Sequence, residues 1–260
     1  PIADFTANKL IEFAGNPISF TDFSANGPNG WIWNFGDTQT SNDQYPFHTY
    51  LTDGLYDVSL TANNHFGSGT ETKTGYIEIL PIDECLKFED NFDDGTINPL
   101  ITTLNGTWSE TSGNIRQTSN YYVTGNLLGG CYATTGSFLW DNYMINCDMM
   151  SADNDHIGFV FNWQDELNTY MFYWTVDGNS RTISKWINGT ETILASESVP
   201  YIPNTWYNIK ISAIPGNIKL FIDEVPIFDI NDNTFTHGKV ALFCYMNQGS
   251  YWDNFNVSCT

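Results

Sequence analysis

Residues 153–174 read DNDHIGFVFNWQDELNTYMFYW, and the period of that stretch decides the fold class. It predicts two strands, 157–162 and 170–175, joined by a short polar loop carrying Asp165, Glu166 and Asn168. Ile157, Phe159 and Phe161 alternate with Gly158, Val160 and Asn162 in the first strand. Tyr170, Phe172 and Trp174 alternate with Met171, Tyr173 and Thr175 in the second. Successive side chains of a strand point to opposite faces, so one set fills a sheet-on-sheet core and the other looks outward. The outward set, with Asn162, Met171 and Tyr173, is amphipathic rather than plainly solvated.

The same strand-like pattern extends in both directions. Segments 85–88, 108–110, 114–118, 136–139 and 143–150 precede the hairpin; 182–187, 191–196, 206–213, 217–223, 225–229, 238–246 and 252–258 follow it. None has helical periodicity, and their number predicts a two-sheet β-jelly roll over residues 85–260. Residues 1–80 carry short apolar runs at 2–5, 18–23, 31–35, 56–61 and 75–80, broken by Gly, Asn, Asp and Pro. That spacing predicts a separate β-sandwich, in which Trp31 and Trp33 share one strand face. The chain is therefore all-β with two domains, as its 260 residues lead one to expect. Residues 81–84 are too few for a flexible tether, since an extended residue spans roughly 3.3 Å, and end-to-end packing of the domains is expected.

Nine Lys and Arg stand against 30 Asp and Glu, a formal net charge of −21. Nucleic acid and anionic membrane surfaces need clustered basic residues, so neither is an expected partner. No apolar run is long enough to insert into a bilayer as a helix. The five cysteines, Cys85, Cys131, Cys147, Cys244 and Cys259, include no C-x-x-C zinc pattern. Cys85 and Cys259 flank the second domain, and terminal strands of a sandwich often meet, which makes Cys85–Cys259 the expected disulfide. The others are expected as buried thiols.

In the first domain WIWNFGD, followed by YPFHTYLTDGLYDVSLTANNHFGS, resembles the PKD domain family. Trp33, Phe35, Gly36, Asp37, His48, Tyr50, Gly54, Tyr56, Val58, Leu60 and Asn63 carry the match. The family usually has Asp at the place of Asn34 and Gly at that of Thr38. The resemblance implies an immunoglobulin-like sandwich acting as a spacer, with His48 a structural hydrogen-bonding residue.

In the second domain FEDNFDDG, GNIRQTSN, the 153–174 stretch, NTWYNIKISAIPGNIKLFIDEVPIF and GKVALFCYMNQGSYWDNFNV together resemble the concanavalin A-like lectin/glucanase superfamily, in its laminin-G-like and carbohydrate-binding branches. Its hydrolases use Glu-x-Asp-x-Glu, whose same-face spacing sets two carboxylates roughly 5–5.5 Å apart. This chain has no such motif, so no catalytic residues are assigned. The resemblance implies a structural Ca²⁺ between first and last strands, held by Asp253 with Glu89 or Asp90. It also implies a glycan site. Asn162, Tyr173, Phe243 and Tyr245 are expected on one face, Arg116 and Gln117 on a polar strand beside it, and Tyr121, Trp163 and Tyr251 at the rim. Aromatic faces supply contact with sugar C–H surfaces and forked polar groups orient the hydroxyls. Trp108, Trp174 and Trp206 are expected in the core. Sequons at Asn105, Asn188 and Asn256 are read as turn residues.

The expected function is non-catalytic binding of a polysaccharide or oligosaccharide by the jelly roll, with the PKD domain as spacer. The chain is expected to adjoin further domains in a larger secreted or cell-surface (extracellular) protein. The alternative is an adhesion or surface-layer module that binds protein; a glycoside hydrolase or lyase is the weaker third reading.

Overall fold

A computed structural model describes residues 1–81, 86–111, 113–123 and 127–260. Among these the single helical element is a 3₁₀ turn, Leu127–Gly129, and all other regular structure is strand. The chain divides into two units, Pro1–Ile82 and Asp83–Thr260. Residues 82–85 lie outside the described residues, and with them most of the linker and the Cys85–Cys259 pairing.

The first unit pairs a five-stranded sheet with a three-stranded one, the longest strands being Gly54–Asn64 and Gly67–Leu80. Trp33 is fully buried among Phe5, Phe20 and Phe35, while Ile32 on the other face is exposed. The turn after Trp33 is built from short polar bonds. Asn34 Oδ1 accepts the Gly36 N–H at 2.9 Å, the service an Asp would give. Gly36 has φ +86°, and a Cβ there would lie 2.5 Å from the Asp57 carbonyl oxygen, so only glycine fits. Thr38, where the family has Gly, is held at φ +75°. His48 Nε2 lies 2.8 Å from Asp37 Oδ2 and its ring stacks on Phe35, a structural role.

The second unit is two antiparallel sheets. One runs in the order Thr102–Leu104, Cys131–Thr135, Lys239–Tyr245, His156–Asp165, Asn168–Thr175, Ser180–Ile187, Thr190–Glu197. The other runs Trp108–Glu110, Ile115–Gln117, Ser250–Cys259, Tyr143–Ser151, Tyr207–Ile214, Asn217–Ile222, Val225–Ile230, with Leu86–Asp90 also paired to Ser250–Cys259. Ile157, Phe159, Phe161, Tyr170, Phe172 and Trp174 fill the space between the sheets, and Trp174 packs 4.7 Å from the Tyr207 ring.

Strand parity fails at one residue. Register on both sides of the His156–Asp165 strand shifts after Phe161 and Val160, and Asn162 takes φ +47°. One extra residue in a strand reverses the facing of everything beyond it. Asn162 thereby turns inward to Tyr143, and Trp163 comes to the outer face. Gly238, just before the neighbouring Lys239–Tyr245 strand, makes the bulge possible, because a Cβ there would sit 2.5 Å from the Asn162 carbonyl carbon.

Other expectations need correction. The predicted strand at 136–139 is a turn region, and the strand is instead Cys131–Thr135, buried along its whole length and so without alternation. Trp206 is 42 % exposed rather than core, and Trp108 is half-buried, stacked on Trp252. Asn105 and Asn188 do sit at positive-φ turns, but Asn256 lies within the last strand.

At one end the two sheets are clasped by Asp232. Its carboxylate accepts from Tyr170 Oη at 2.5 Å, Lys185 Nζ at 2.6 Å and the Thr234 N–H at 2.9 Å. Partial burial alone pushes this carboxyl up, but the hydrogen bonds from Lys185, Thr234 and Tyr170 outweigh it and hold it well below the usual carboxylate range. The Tyr170 phenol moves the opposite way, pushed up to about 12 by burial and by the carboxylate it faces.

Candidate functional site: a cleft on the aromatic face

The outer face of the seven-stranded sheet is a layer of rings. Tyr132, Trp163, Tyr173, Trp186, Phe243 and Tyr245 pack with Val160, Met171 and Ala241, edged by Leu104, Leu127, Leu128 and Met246. Cross-strand register builds it: Phe243 stands opposite Tyr132 on one side and Gly158 on the other, and Gly158 stands opposite Tyr173. The Tyr132 ring lies 5.5 Å from Trp163 and 5.4 Å from Phe243. His156 sits at the far end, 5.4 Å from Tyr173 and 5.8 Å from Tyr245. Burial holds its pKa below the ordinary histidine value, against a smaller opposite pull from Asp177.

Two adjoining cavities open at the Trp163 end, of ≈ 320 and ≈ 570 Å³. They share Leu104, Trp163, Asp165, Glu166 and Leu167. Asn105, Tyr132 and Thr169 are among the other residues lining the first; Phe138, Gln164 and Lys239 are among those lining the second. An aromatic and aliphatic floor with carboxylate, amide and ammonium groups around it suits a polyhydroxylated ligand. Asp165 is braced, its carboxylate accepting from the Leu167 N–H and from Asn168 Nδ2 at 2.8 Å. Three polar atoms buried in the same face make no hydrogen bond within the protein: His156 Nδ1, Ser184 Oγ and Trp186 Nε1.

Of the residues singled out from sequence, Trp163, Tyr173, Phe243 and Tyr245 come together on this face. Trp163 does so from within a strand rather than from a loop. Asn162 does not. Its Oδ1 accepts from Tyr143 Oη at 2.6 Å, its N–H donates back at 2.8 Å, and its Nδ2 donates to the Phe235 carbonyl. Arg116, Gln117 and Tyr251 belong to the eight-stranded sheet. Gln117 points into the sandwich, fully buried, whereas Arg116 and Tyr251 stand opposite each other on that sheet's outer face. Tyr121 is in the exposed loop that leads to Val123. Tyr132, His156, Ser184 and Trp186 went unnoticed in the sequence. The alternation of Thr182, Ser184 and Trp186 was the available signal for two of them.

Of the expected calcium ligands, Glu89 and Asp90 line one cavity, and Asp253 is not among its lining residues. Glu89 is exposed, and Asp253 stands opposite Asp148 on the outer face of the eight-stranded sheet. Asp90 turns toward the following loop, where its Oδ1 accepts the Phe92 N–H at 2.8 Å. Its neighbours are Asp94 and Asn98, and burial pushes its carboxyl up. Glu89, Asp90, Asn91, Asp94 and Asn98 line a cavity of ≈ 590 Å³ with Asn146, Asn254 and Asn256. Glu110, buried beside it, is pushed up by desolvation and by Asp94 and Asp90, and its Oε2 has no partner. Among the described residues no three His, Cys, Asp or Glu side chains converge as a metal cluster.

The first unit and the second differ in what they resemble. Residues 1–79 are matched by the family model of the PKD domain. A microbial collagenase of Vibrio alginolyticus is 38% identical over 85 residues, which are 31% of this chain and 10% of the collagenase; the chain thus spans only a small part of that relative. Among solved structures, the carbohydrate-binding module CBM66 from Bacillus subtilis superposes with a TM-score of 0.54 at 19% identity, covering 61% of this chain and 95% of the module. A Bacillus subtilis protein of unknown function with a galectin-like fold gives 0.54 at 11% identity, covering 68% and 96%. At such identities the likeness concerns the fold alone. The chain is thus an all-β protein in which a PKD match precedes a jelly roll of the kind found in carbohydrate-binding modules.

Proposed function

We propose that the second unit is a non-catalytic carbohydrate-binding module that takes a polysaccharide chain into the cleft floored by Trp163, with the PKD unit as spacer in a longer extracellular protein. The observation that carries this reading is the pair of adjoining cavities, which share the Trp163 ring and the Asp165 and Glu166 carboxylates. The fold alone does not separate a binding module from an enzyme, so the test is direct. The protein is incubated with a panel of plant and algal polysaccharides, and retention in affinity gels and release of reducing ends are both measured. Retention without release supports the reading; release from any panel member overturns it.

The proposal includes a structural calcium ion at the polar cavity beside Asp90. Carboxylate oxygens of Asp90 and Asp94 and amide oxygens of Asn91 and Asn98 are the hard donors such an ion takes. The unpartnered Glu110 oxygen adds to the negative potential there. The ion would neutralise like charges and fix the loop that follows Leu86–Asp90.

A further inference from the structure

We propose that Cys131 and Cys244 form a disulfide that crosses between neighbouring strands behind the floor of the cleft. The two residues are directly opposed in the antiparallel pairing of Cys131–Thr135 with Lys239–Tyr245. Opposed residues of such a pair have Cα atoms about 4.5 or 5.5 Å apart, and both spacings fall within the range that a disulfide spans. Paired positions share a face, and both side chains are buried inside the sandwich, where they stand as free thiols in this structure.

The sulfurs also meet a common neighbour. Cys244 Sγ lies 3.7 Å from Gln117 Oε1, and a Cβ on Gly106 would lie 2.7 Å from Cys131 Sγ and 2.6 Å from Gln117 Nε2. Both thiols therefore border one buried amide, and Gly106 leaves the room Cys131 needs. Cys147, the third buried cysteine, is directed elsewhere, its Sγ 3.3 Å from the Asp253 carbonyl oxygen. It does not compete.

The chemistry is thiol–disulfide exchange with a small or protein disulfide such as oxidised glutathione. A thiolate from one cysteine attacks the donor's S–S bond and releases one donor thiol. The second cysteine then attacks the mixed disulfide and releases the other. Two protons leave the cysteines, and the two electrons given up in forming the new S–S bond reduce the donor to two thiols. Both sulfurs are closed off in the folded sheet, so the exchange takes place while the strands are still coming together.

The bridge would act on the cleft without touching the ligand. Tyr132 and Phe243, the next residues along the two strands, form part of the aromatic face. Their separation is set by the strand pair the bridge fixes. Because only the chain's own thiols are involved, the inference stands or falls independently of the glycan reading.

The full chain is denatured and reduced, then refolded in a reduced and oxidised glutathione buffer. Remaining thiols are alkylated before digestion and mass analysis without reductant. The expected product is a peptide pair joined through Cys131 and Cys244, lighter by two hydrogen atoms than the separate peptides and lost on reduction. The oxidised protein should melt several degrees above the reduced one. Alkylation of both residues in refolded protein, or linkage of either to another cysteine, overturns the proposal.

Discussion

The second sandwich presents two outer faces that could hardly differ more. On the seven-stranded sheet, outward positions carry Tyr132, Trp163, Tyr173, Trp186, Phe243 and Tyr245. On the eight-stranded sheet they carry Asn146, Asp148, Lys210 and Asp253, joined by amide-to-carboxylate bonds such as Asn208 Nδ2 to Asp148 Oδ1 at 2.8 Å and Asn254 Nδ2 to Asp148 Oδ2 at 2.9 Å. The polar face is bonded largely within itself, although Asn208 Oδ1 there has no partner, whereas the aromatic face has a cleft floored by rings and three buried polar atoms without partners in the protein. Ring faces beside unmet hydrogen bonds are what a polyhydroxylated ligand gains from, and only the aromatic face combines the two.

The largest effect should come from deleting the cleft floor. Trp163→Ala removes the ring that both cavities share, and an anchor of that kind is worth about 2 kcal/mol or more. Affinity for a retained polysaccharide, measured by calorimetry, should fall roughly 30-fold or further. Arg116→Ala and Tyr251→Ala, on the opposite face, should change it less than about twofold, within the small range of surface substitutions. Equal losses on both faces would erase the contrast.

Next comes the clasp that holds the faces back to back. Asp232→Ala leaves the Tyr170 hydroxyl without its acceptor and the Lys185 ammonium with Thr234 Oγ1 in place of a carboxylate, at a cost of about 3 kcal/mol in denaturant unfolding. The carboxyl's pKa is depressed in the folded state, so its contribution is complete above the unfolded value of about 3.9 and is lost as pH falls toward the folded one. Wild type should therefore lose stability below about pH 4 more steeply than Asp232→Ala. Parallel acid curves would contradict the assignment.

Asn162 separates what sequence parity says from what the bulge does. Counting by twos from Val160 puts Asn162 on the outer, aromatic face; the structure puts it against Tyr143. Asn162→Ala should cost about 2 kcal/mol, because the buried Tyr143 hydroxyl loses its acceptor. The folded variant should keep its affinity, and a selective loss of affinity would restore the outward reading.

These cases mark how far the sequence could be read. The inward set Ile157, Phe159, Phe161, Tyr170, Phe172 and Trp174 was legible because alternation is local. The Asn162 bulge was not, since it depends on Gly238, far along the chain, leaving room. Nor was the sheet membership of Arg116, Gln117 and Tyr251, because strand order is set by long-range pairing. Cys131–Thr135 was hidden for a simpler reason: a strand buried on both faces has no period to detect. In the first unit the motif was legible almost residue by residue, because its polar bonds run between near neighbours such as Asn34 and Gly36.

The smallest effect concerns the acidic edge of the polar face, where the proposed calcium set, Asp90 with Asp94, differs from the set expected from the sequence, Asp253 with Glu89 or Asp90. If the ion sits with Asp90 and Asp94, a free concentration at tenfold its Kd stabilises the fold by RT ln(1 + [L]/Kd), about 1.4 kcal/mol. For a unit of this size that raises Tm by roughly 3–6 °C. A chelator should reverse the shift, and polysaccharide affinity should not follow it, because the cavity lies on the other sheet from the cleft. Asp90→Asn should abolish the response. Asp253→Asn should preserve it, since that side chain faces Asp148 outside the cavity lining. Loss of the response in Asp253→Asn but not in Asp90→Asn would return the ion to the last strand. A melt indifferent to both calcium and chelator would remove it altogether.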